Sequence, residues 1–186
     1  MRYVALLRGI NVGGKALVRM AELKTCFEKL GFDRVSTYIA SGNVLFETED
    51  DDAGLATTIE AAIEQRFELP VKVVVLDQAA YTRIVDAIPK SWIGNGEVSA
   101  NAAFVRPGTD ASEVVRELKP DPSIEEMAAV DGAILWATRR DSINRSVVRK
   151  LIGAAAYKEL TIRNLNTTMK LNELLTGPGA ATPPSA

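Results

Sequence analysis

The glycine-rich segment near the N-terminus has a spacing that is typical of phosphate-binding loops. Gly9 and Gly14 are separated by four residues, and Lys15 follows at once, as in Gly-x4-Gly-Lys. In such loops the next residue is Ser or Thr, whose hydroxyl coordinates Mg²⁺, but here it is Ala16. A P-loop NTPase is therefore not expected. Two interpretations remain: an anion site made of backbone amides and flanking cations, or a loop whose glycines only let the chain turn.

A second polar cluster lies near the C-terminus, at a predicted junction between a strand and the closing helix. It contains Arg163, Asn164, Asn166 and Thr167 within five residues. Either Asn166 or Thr167 could cap the helix, because Asn and Thr side chains accept hydrogen bonds from its first amides. The cluster has more polar groups than one cap requires. A polar ligand at the helix N-terminus is therefore an equal alternative.

The charges are distributed unevenly along the chain. Residues 1–46 carry a net charge of +4, residues 47–131 carry −11, and residues 132–186 carry +5, within a total of −2. Both polar clusters lie in the basic segments, which favours an anionic or phosphate-bearing small ligand. The candidate ligand-binding residues are Arg8, Gly9, Asn11, Gly13, Gly14, Lys15, Ser41, Asn43, Arg163, Asn164, Asn166, Thr167 and Lys170.

Other functions fit the composition less well. The chain has no histidine, so Ser-His-Asp and Cys-His catalysis and imidazole metal ligands are excluded. The only cysteine, Cys26, falls on an apolar helix face and is expected to be a small buried hydrophobe. We expect no metal and no cofactor. Weak nucleic-acid binding by the same basic face and a histidine-free enzyme remain alternatives, and the residues lean against an enzyme.

The elements that must position these residues follow one order twice. Apolar periodicity and the turns around Gly42 and Gly132 predict strand, helix, two strands as a hairpin, helix and strand, first over residues 1–76 and again over 100–176. This is the order of the ferredoxin-like unit. The predicted fold is α+β, with two such repeats packed together and an extra helix after each. Residues 77–99 would connect the repeats through a helix and a loop.

Three motifs together resemble a known family. They are ALLRGINVGGK at residues 5–15, TYIASGNVLF at 37–46 and TIRNLNTTMKL at 161–171. In these three motifs the chain resembles the bacterial domain-of-unknown-function family 1697. The resemblance implies an α+β protein of two ferredoxin-like units and no established activity.

The sequence also gives expectations about location. The apolar run at residues 3–7 is too short for a signal peptide, and no stretch approaches the roughly 18 apolar residues of a spanning helix. We therefore expect a cytoplasmic protein without a membrane partner. Residues 177–186 contain only Gly, Ala, Thr, Pro and Ser, which predicts a disordered tail.

Overall fold

The computed structural model describes residues 1–14, 16–50, 53–153 and 155–177. Contacts within the chain divide it into two compact units. The first consists of Met1–Tyr81 and the segment that begins at Leu171, and the second of Thr82–Lys170. The predicted repeat bounds, 1–76 and 100–176, stay a prediction. The predicted disordered tail lies outside the described residues except for Gly177.

The first unit contains a four-stranded antiparallel sheet in the order β2-β3-β1-β4. Its elements are β1 (Arg2–Leu7), α1 (Met20–Lys29), β2 (Asp33–Tyr38), β3 (Asn43–Glu47), α2 (Leu55–Phe67) and β4 (Val73–Asp77). Helix α3 (Gln78–Asp86) follows. This strand order is that of a ferredoxin-like unit, as predicted from the sequence.

The core of the first unit lies between the sheet and helices α1 and α2. Leu23 and Phe27 of α1 and Ile59 and Ile63 of α2 are fully buried, at the helical spacing that the sequence shows. The Phe27 ring meets the Phe46 ring of β3 edge-on, with 5.5 Å between centroids. Burial of these side chains holds both helices on one face of the sheet.

Helix α2 begins differently from what its sequence predicts. The acidic run at residues 49–52 predicts a carboxylate N-cap, because acidic side chains accept hydrogen bonds from the first helical amides, but the N-cap is Gly54, with φ 101° and no side-chain hydrogen bond. Glycine adopts this left-handed conformation without the steric cost that a side chain brings. Asp51 and Asp52 lie outside the described residues.

The second unit repeats the arrangement, with an antiparallel sheet in the order β6-β7-β5-β8. Its elements are β5 (Val98–Val105), α4 (Ala111–Leu118), β6 (Glu125–Val130), β7 (Ala133–Arg139), α5 (Val148–Gly153) and β8 (Leu160–Asn164). Short 3₁₀ helices at Lys90–Trp92, Arg140–Arg145 and Ala155–Glu159 complete it, and α6 (Leu165–Thr176) follows β8. The fold is thus α+β, with two sheets of the same strand order.

Asp110 with Glu113 three residues later predicts a helix start in the sequence, and α4 begins there. The Asp110 carboxylate accepts hydrogen bonds from the backbone N–H groups of Ser112 and Glu113, which is N-capping. Val114 and Leu118 then face the core of this unit and pack with Ile134 and Trp136 of β7. A buried carboxylate, Glu125, fixes the region between β7 and α5 by accepting from the Ser146 hydroxyl and the Val147 amide.

Strand β2 forms one edge of the first sheet and is irregular. Its pairing with β3 shifts register between Asp33 and Ser36, and Arg34 within this bulge has φ 48°. At the other end of the strand, the hairpin turn contains Ile39 at φ 49° and Gly42 at φ 77°. The turn that the Ser-Gly-Asn sequence predicts is therefore present, with the positive φ values that such residues favour.

Candidate functional site

The second unit contains an open cleft of about 440 Å³. It lies where the loop before β5, the start of the 3₁₀ helix after β7, and the start of α6 come together. Its lining residues are Trp92, Gly94, Asn95, Gly96, Val98, Ser99, Ala100, Arg140, Asn164, Leu165 and Asn166.

The C-terminal polar motif forms one wall of this cleft. Asn164 is the last residue of β8, and its Oδ1 accepts a hydrogen bond of 2.8 Å from the Thr167 amide, so Asn164 caps α6. The Thr168 hydroxyl donates back to the Asn164 carbonyl oxygen at 3.0 Å. Asn166 lies in the first turn, and its side chain has no hydrogen-bond partner among the described residues. The prediction that Asn166 or Thr167 is the cap was wrong, because β8 runs directly into α6 and the helix begins at Leu165, ahead of both residues.

Arg140 provides the positive charge of the cleft. Its backbone amide donates to the Glu97 carbonyl oxygen and its Nε to the Gly96 carbonyl oxygen, both at 2.9 Å. These two bonds attach the arginine to the loop before β5. The two terminal guanidinium nitrogens have no hydrogen-bond or ion-pair partner within the described ranges. Arg140 therefore offers a planar pair of N–H donors to a ligand.

The loop before β5 is held by its own hydrogen bonds. Trp92 is only 4% exposed, and its Nε1 donates to the Glu126 carboxylate at 3.1 Å. The Asn95 amide donates to the Ser91 carbonyl oxygen and accepts from the Glu97 amide. By contrast, the Ser99 hydroxyl makes no hydrogen bond to any residue that the structure describes. The loop is thus held by side-chain hydrogen bonds, whereas Ser99, the second residue of β5, presents an unpaired hydroxyl among the described residues that line the cleft.

The other predicted residues of the C-terminal motif do not line the cleft. Arg163 and Thr167 are buried beside it, and the Arg163 guanidinium donates to its neighbour's carbonyl oxygen at 2.8 Å. Lys170 is exposed further along α6. Asn164 and Asn166 are thus the predicted site residues that the structure brings together with Arg140.

The predicted residues of the first unit lie in two adjoining loops at one end of its sheet. Asn11 donates from Nδ2 to the carbonyl oxygens of Val18 and Ala40, at 3.0 and 2.8 Å, and its Oδ1 accepts from the Val18 amide. It therefore joins the glycine-rich loop to the β2–β3 hairpin. Asn11 itself has φ 55°, which Asn tolerates better than most residues.

Asn43 has a similar role in the hairpin. It is fully buried, and its Nδ2 donates to the Tyr38 carbonyl oxygen at 2.9 Å and to the Ser41 hydroxyl at 3.0 Å. Both asparagines thus use their side chains to hold backbone. Arg8, Gly9, Gly13 and Gly14 belong to the same loops, with the three glycines at positive φ. Lys15 lies outside the described residues, and ligand binding by this group stays a prediction.

Arg140 and Ser99 were not among the predicted site residues. Arg140 follows β7 directly. The apolar run in the sequence predicts a strand over 133–137, and β7 extends two residues beyond that end. Extending the hairpin pairing by those two residues would have placed Arg139 opposite Val98, at the start of β5. Strand pairing was therefore the signal that could have found this arginine.

The lining of the cleft carries one charged group among the described residues. Arg140 is the only ionisable side chain that these residues contribute to it. Within the part of the chain that the structure describes, no three His, Cys, Asp or Glu residues form a metal-binding group. No helix among those residues is long and apolar enough to cross a membrane.

Comparison with known proteins decides the family. The model of a family described as "Protein of unknown function (DUF1697)" matches residues 1–136. The chain belongs to the DUF1697 family. This family member is similar to the conserved bacterial protein SP0830 from Streptococcus pneumoniae, with 28% identity and a TM-score of 0.83, over 94% of this chain and 98% of that one.

A second solved structure, protein BT0572 from Bacteroides thetaiotaomicron, aligns over 91% of this chain and 95% of its own, with 11% identity. Its TM-score is 0.23, which supports no inference. No curated protein matches this DUF1697 chain. Neither the description of the family nor that of the Streptococcus pneumoniae structure names an activity, so a function has to be argued from the cleft.

Proposed function

We propose that the second unit binds a small anionic ligand, with phosphate as the preferred group, in the cleft formed by the loop before β5, Arg140 and the start of α6. One observation carries this proposal. The guanidinium of Arg140 is fixed at Nε, has two donors without a partner in the described chain, and lines the same cleft as Asn164 and Asn166. Two parallel N–H donors of arginine match the oxygens of a phosphate or carboxylate.

The form of the cleft supports this proposal. A volume of about 440 Å³ lies within the roughly 300–1,000 Å³ range of small-molecule sites. None of the described residues that line it is Asp or Glu, so an anion would meet no negative side chain from this part of the chain. The first turn of α6 adds backbone N–H groups and the positive end of the helix dipole. We place this activity in the cytoplasm, because the fold has one buried cysteine and needs no disulfide.

Isothermal titration of the full chain with inorganic phosphate tests the proposal. We expect measurable binding that weakens at least tenfold in Arg140→Gln. Arg139→Gln is the matched control, since Arg139 is also exposed but pairs with Asp141 at 2.6 Å; it should change the affinity less than twofold. Absence of binding by the unmodified chain, or equal losses in both variants, would contradict the proposal.

A third variant, Arg8→Gln, addresses the glycine-rich loop. If Arg8→Gln removes phosphate binding and Arg140→Gln does not, the anion site lies in the first unit and the cleft is not its location. Weak nucleic-acid binding by the basic face and a histidine-free enzyme stay the alternatives that the sequence leaves open.

A further inference from the structure

We infer that the ligand of the cleft in the second unit is a phosphorylated sugar or polyol with one phosphate group, and that the cleft does not recognise a nucleobase. This inference rests on the proposed function, because it assumes that Arg140 holds an anion. It goes further by assigning the remainder of the ligand from the groups that line the rest of the cleft.

The cleft offers no aromatic surface for a base. Its one aromatic lining residue is Trp92, which is 4% exposed and is held by the hydrogen bond from Nε1 to Glu126. Proteins that bind bases without reading their edges usually stack them on exposed aromatic rings or arginine planes. The Arg140 guanidinium already donates a hydrogen bond from Nε to the Gly96 carbonyl oxygen, and in the proposed function its terminal nitrogens bind the anion. A nucleobase would therefore gain little from this cleft.

The free polar groups of the cleft instead match hydroxyl groups. The Ser99 hydroxyl and the Asn166 amide can each both donate and accept, and neither has a hydrogen-bond partner among the described residues. The Nδ2 of Asn164 is a further donor, since only its Oδ1 is used in capping α6. A sugar or polyol hydroxyl also donates and accepts at one atom. Three such groups in one cleft are complementary to a body that carries several hydroxyls.

The charge of the cleft limits the number of phosphates. Among the described residues that line it, Arg140 is the only cation and none is lysine. One arginine fork satisfies one phosphate, whereas a diphosphate would leave the second group without a cation. Gly94 and Gly96 present no side chain beyond the backbone, and a Cβ at either would meet no atom within 4 Å. That wall therefore leaves room for a ligand ring beside the phosphate.

Titration of the full chain with four probes tests the inference: inorganic phosphate, ribose 5-phosphate, glucose 6-phosphate and AMP. We expect at least one of the two sugar phosphates to bind tenfold or more tightly than phosphate, and AMP to bind no more tightly than ribose 5-phosphate. Ser99→Ala and Asn166→Ala should each weaken the better sugar phosphate at least fivefold, and Ser99→Ala should leave inorganic phosphate within twofold. Retained phosphate binding also shows that the Ser99→Ala variant is folded. Thr176→Ala, at the distant end of α6, is the control and should change neither affinity.

The outcomes separate this inference from the proposed function. AMP that binds tenfold more tightly than both sugar phosphates would overturn the inference, because a base would then be recognised. Sugar phosphates that bind no better than phosphate, or that are unaffected by both substitutions, would also overturn it while leaving anion binding at Arg140 in place. Failure of phosphate itself to bind would overturn the proposed function and the inference together.

Discussion

Gly42 lies directly against Ile10: a Cβ atom on Gly42 would stand 2.8 Å from the Cδ1 of Ile10, closer than non-bonded carbon atoms approach. The same atom would also stand 2.8 Å from the Cβ of Leu7. Gly42 is in the β2–β3 hairpin and Ile10 is in the glycine-rich loop, so this close approach packs the two loops together. A side chain at position 42 would separate them.

Gly42→Ala should therefore destabilise the protein through both sterics and backbone strain. We expect a loss of about 2–4 kcal/mol in the free energy of unfolding, from a left-handed alanine and from overpacking. Gly9→Ala is the matched control, because Gly9 has φ 70° but no atom within 4 Å of its Cβ position; it should cost about 1–2 kcal/mol. Urea denaturation measures both. Equal losses would mean that the packing against Ile10 contributes nothing.

Asn11→Ala should also destabilise the first unit, because it removes the three hydrogen bonds to Val18 and Ala40. The expected loss is about 1–3 kcal/mol. Asn144→Ala removes an exposed asparagine side chain with no partner among the described residues and should change stability by less than about 0.5 kcal/mol. Asn11→Gly separates the causes, since glycine tolerates φ 55° but lacks the amide. If Asn11→Gly matches the unmodified chain in urea denaturation, the hydrogen bonds are unimportant.

The Cys26 thiol should react slowly with alkylating reagents in the native protein. Burial raises its pKa above the ordinary value, and the nearby charges of Arg66 and Lys29 offset part of that rise. The native alkylation rate should therefore still increase with pH above the ordinary thiol pKa, where an unfolded chain has levelled off. The raised pKa also makes the free energy of unfolding depend on pH. The stability that comes from a neutral Cys26 thiol is fully present below the ordinary thiol pKa, and it is lost as the pH rises through the higher pKa of the folded protein. Mass spectrometry after timed iodoacetamide treatment, with and without urea, gives the rates. A native rate equal to the unfolded rate would contradict this.

The strand and helix order could be predicted because the local signals agree with the tertiary fold. Gly42 and Gly132 occupy turn positions with φ 77° and 82°, between apolar runs that pair as hairpins. Leu23, Phe27, Ile59 and Ile63 show the helical spacing of the face that is buried. In these segments each sequence pattern was compatible with only one type of secondary structure.

The start of α6 could not be predicted because three neighbouring residues were equally good caps. Asn164, Asn166 and Thr167 can all cap a helix, and the pairing of Asn164 with Asn101 across the sheet decides which one does. The choice depends on a strand more than sixty positions earlier in the chain. Local sequence carries no information about that register.

The candidate site shows the same limit more clearly. Asn11, Asn43, Asn164 and Asn166 look alike in the sequence, yet Asn11 and Asn43 hold backbone carbonyls, whereas Asn166 keeps its amide free of the described chain. Arg140 joins Asn166 at one cleft only after β7 has paired with β5 and β8 has paired on the other side. The residue types were therefore sufficient to identify the polar motifs. Which of their residues lie at the cleft depends on the pairing of the strands.

The bulge in β2 has a consequence for the behaviour of the protein at high concentration. An outer strand with unpaired backbone groups can recruit the strand of another molecule and start aggregation. In β2 the register shifts between Asp33 and Ser36, with Arg34 in a left-handed conformation, so the pairing is interrupted beside the two charged residues at the start of the strand. A foreign strand would find neither a straight ladder nor a neutral surface. The irregularity protects this margin of the first sheet against amyloid-like growth.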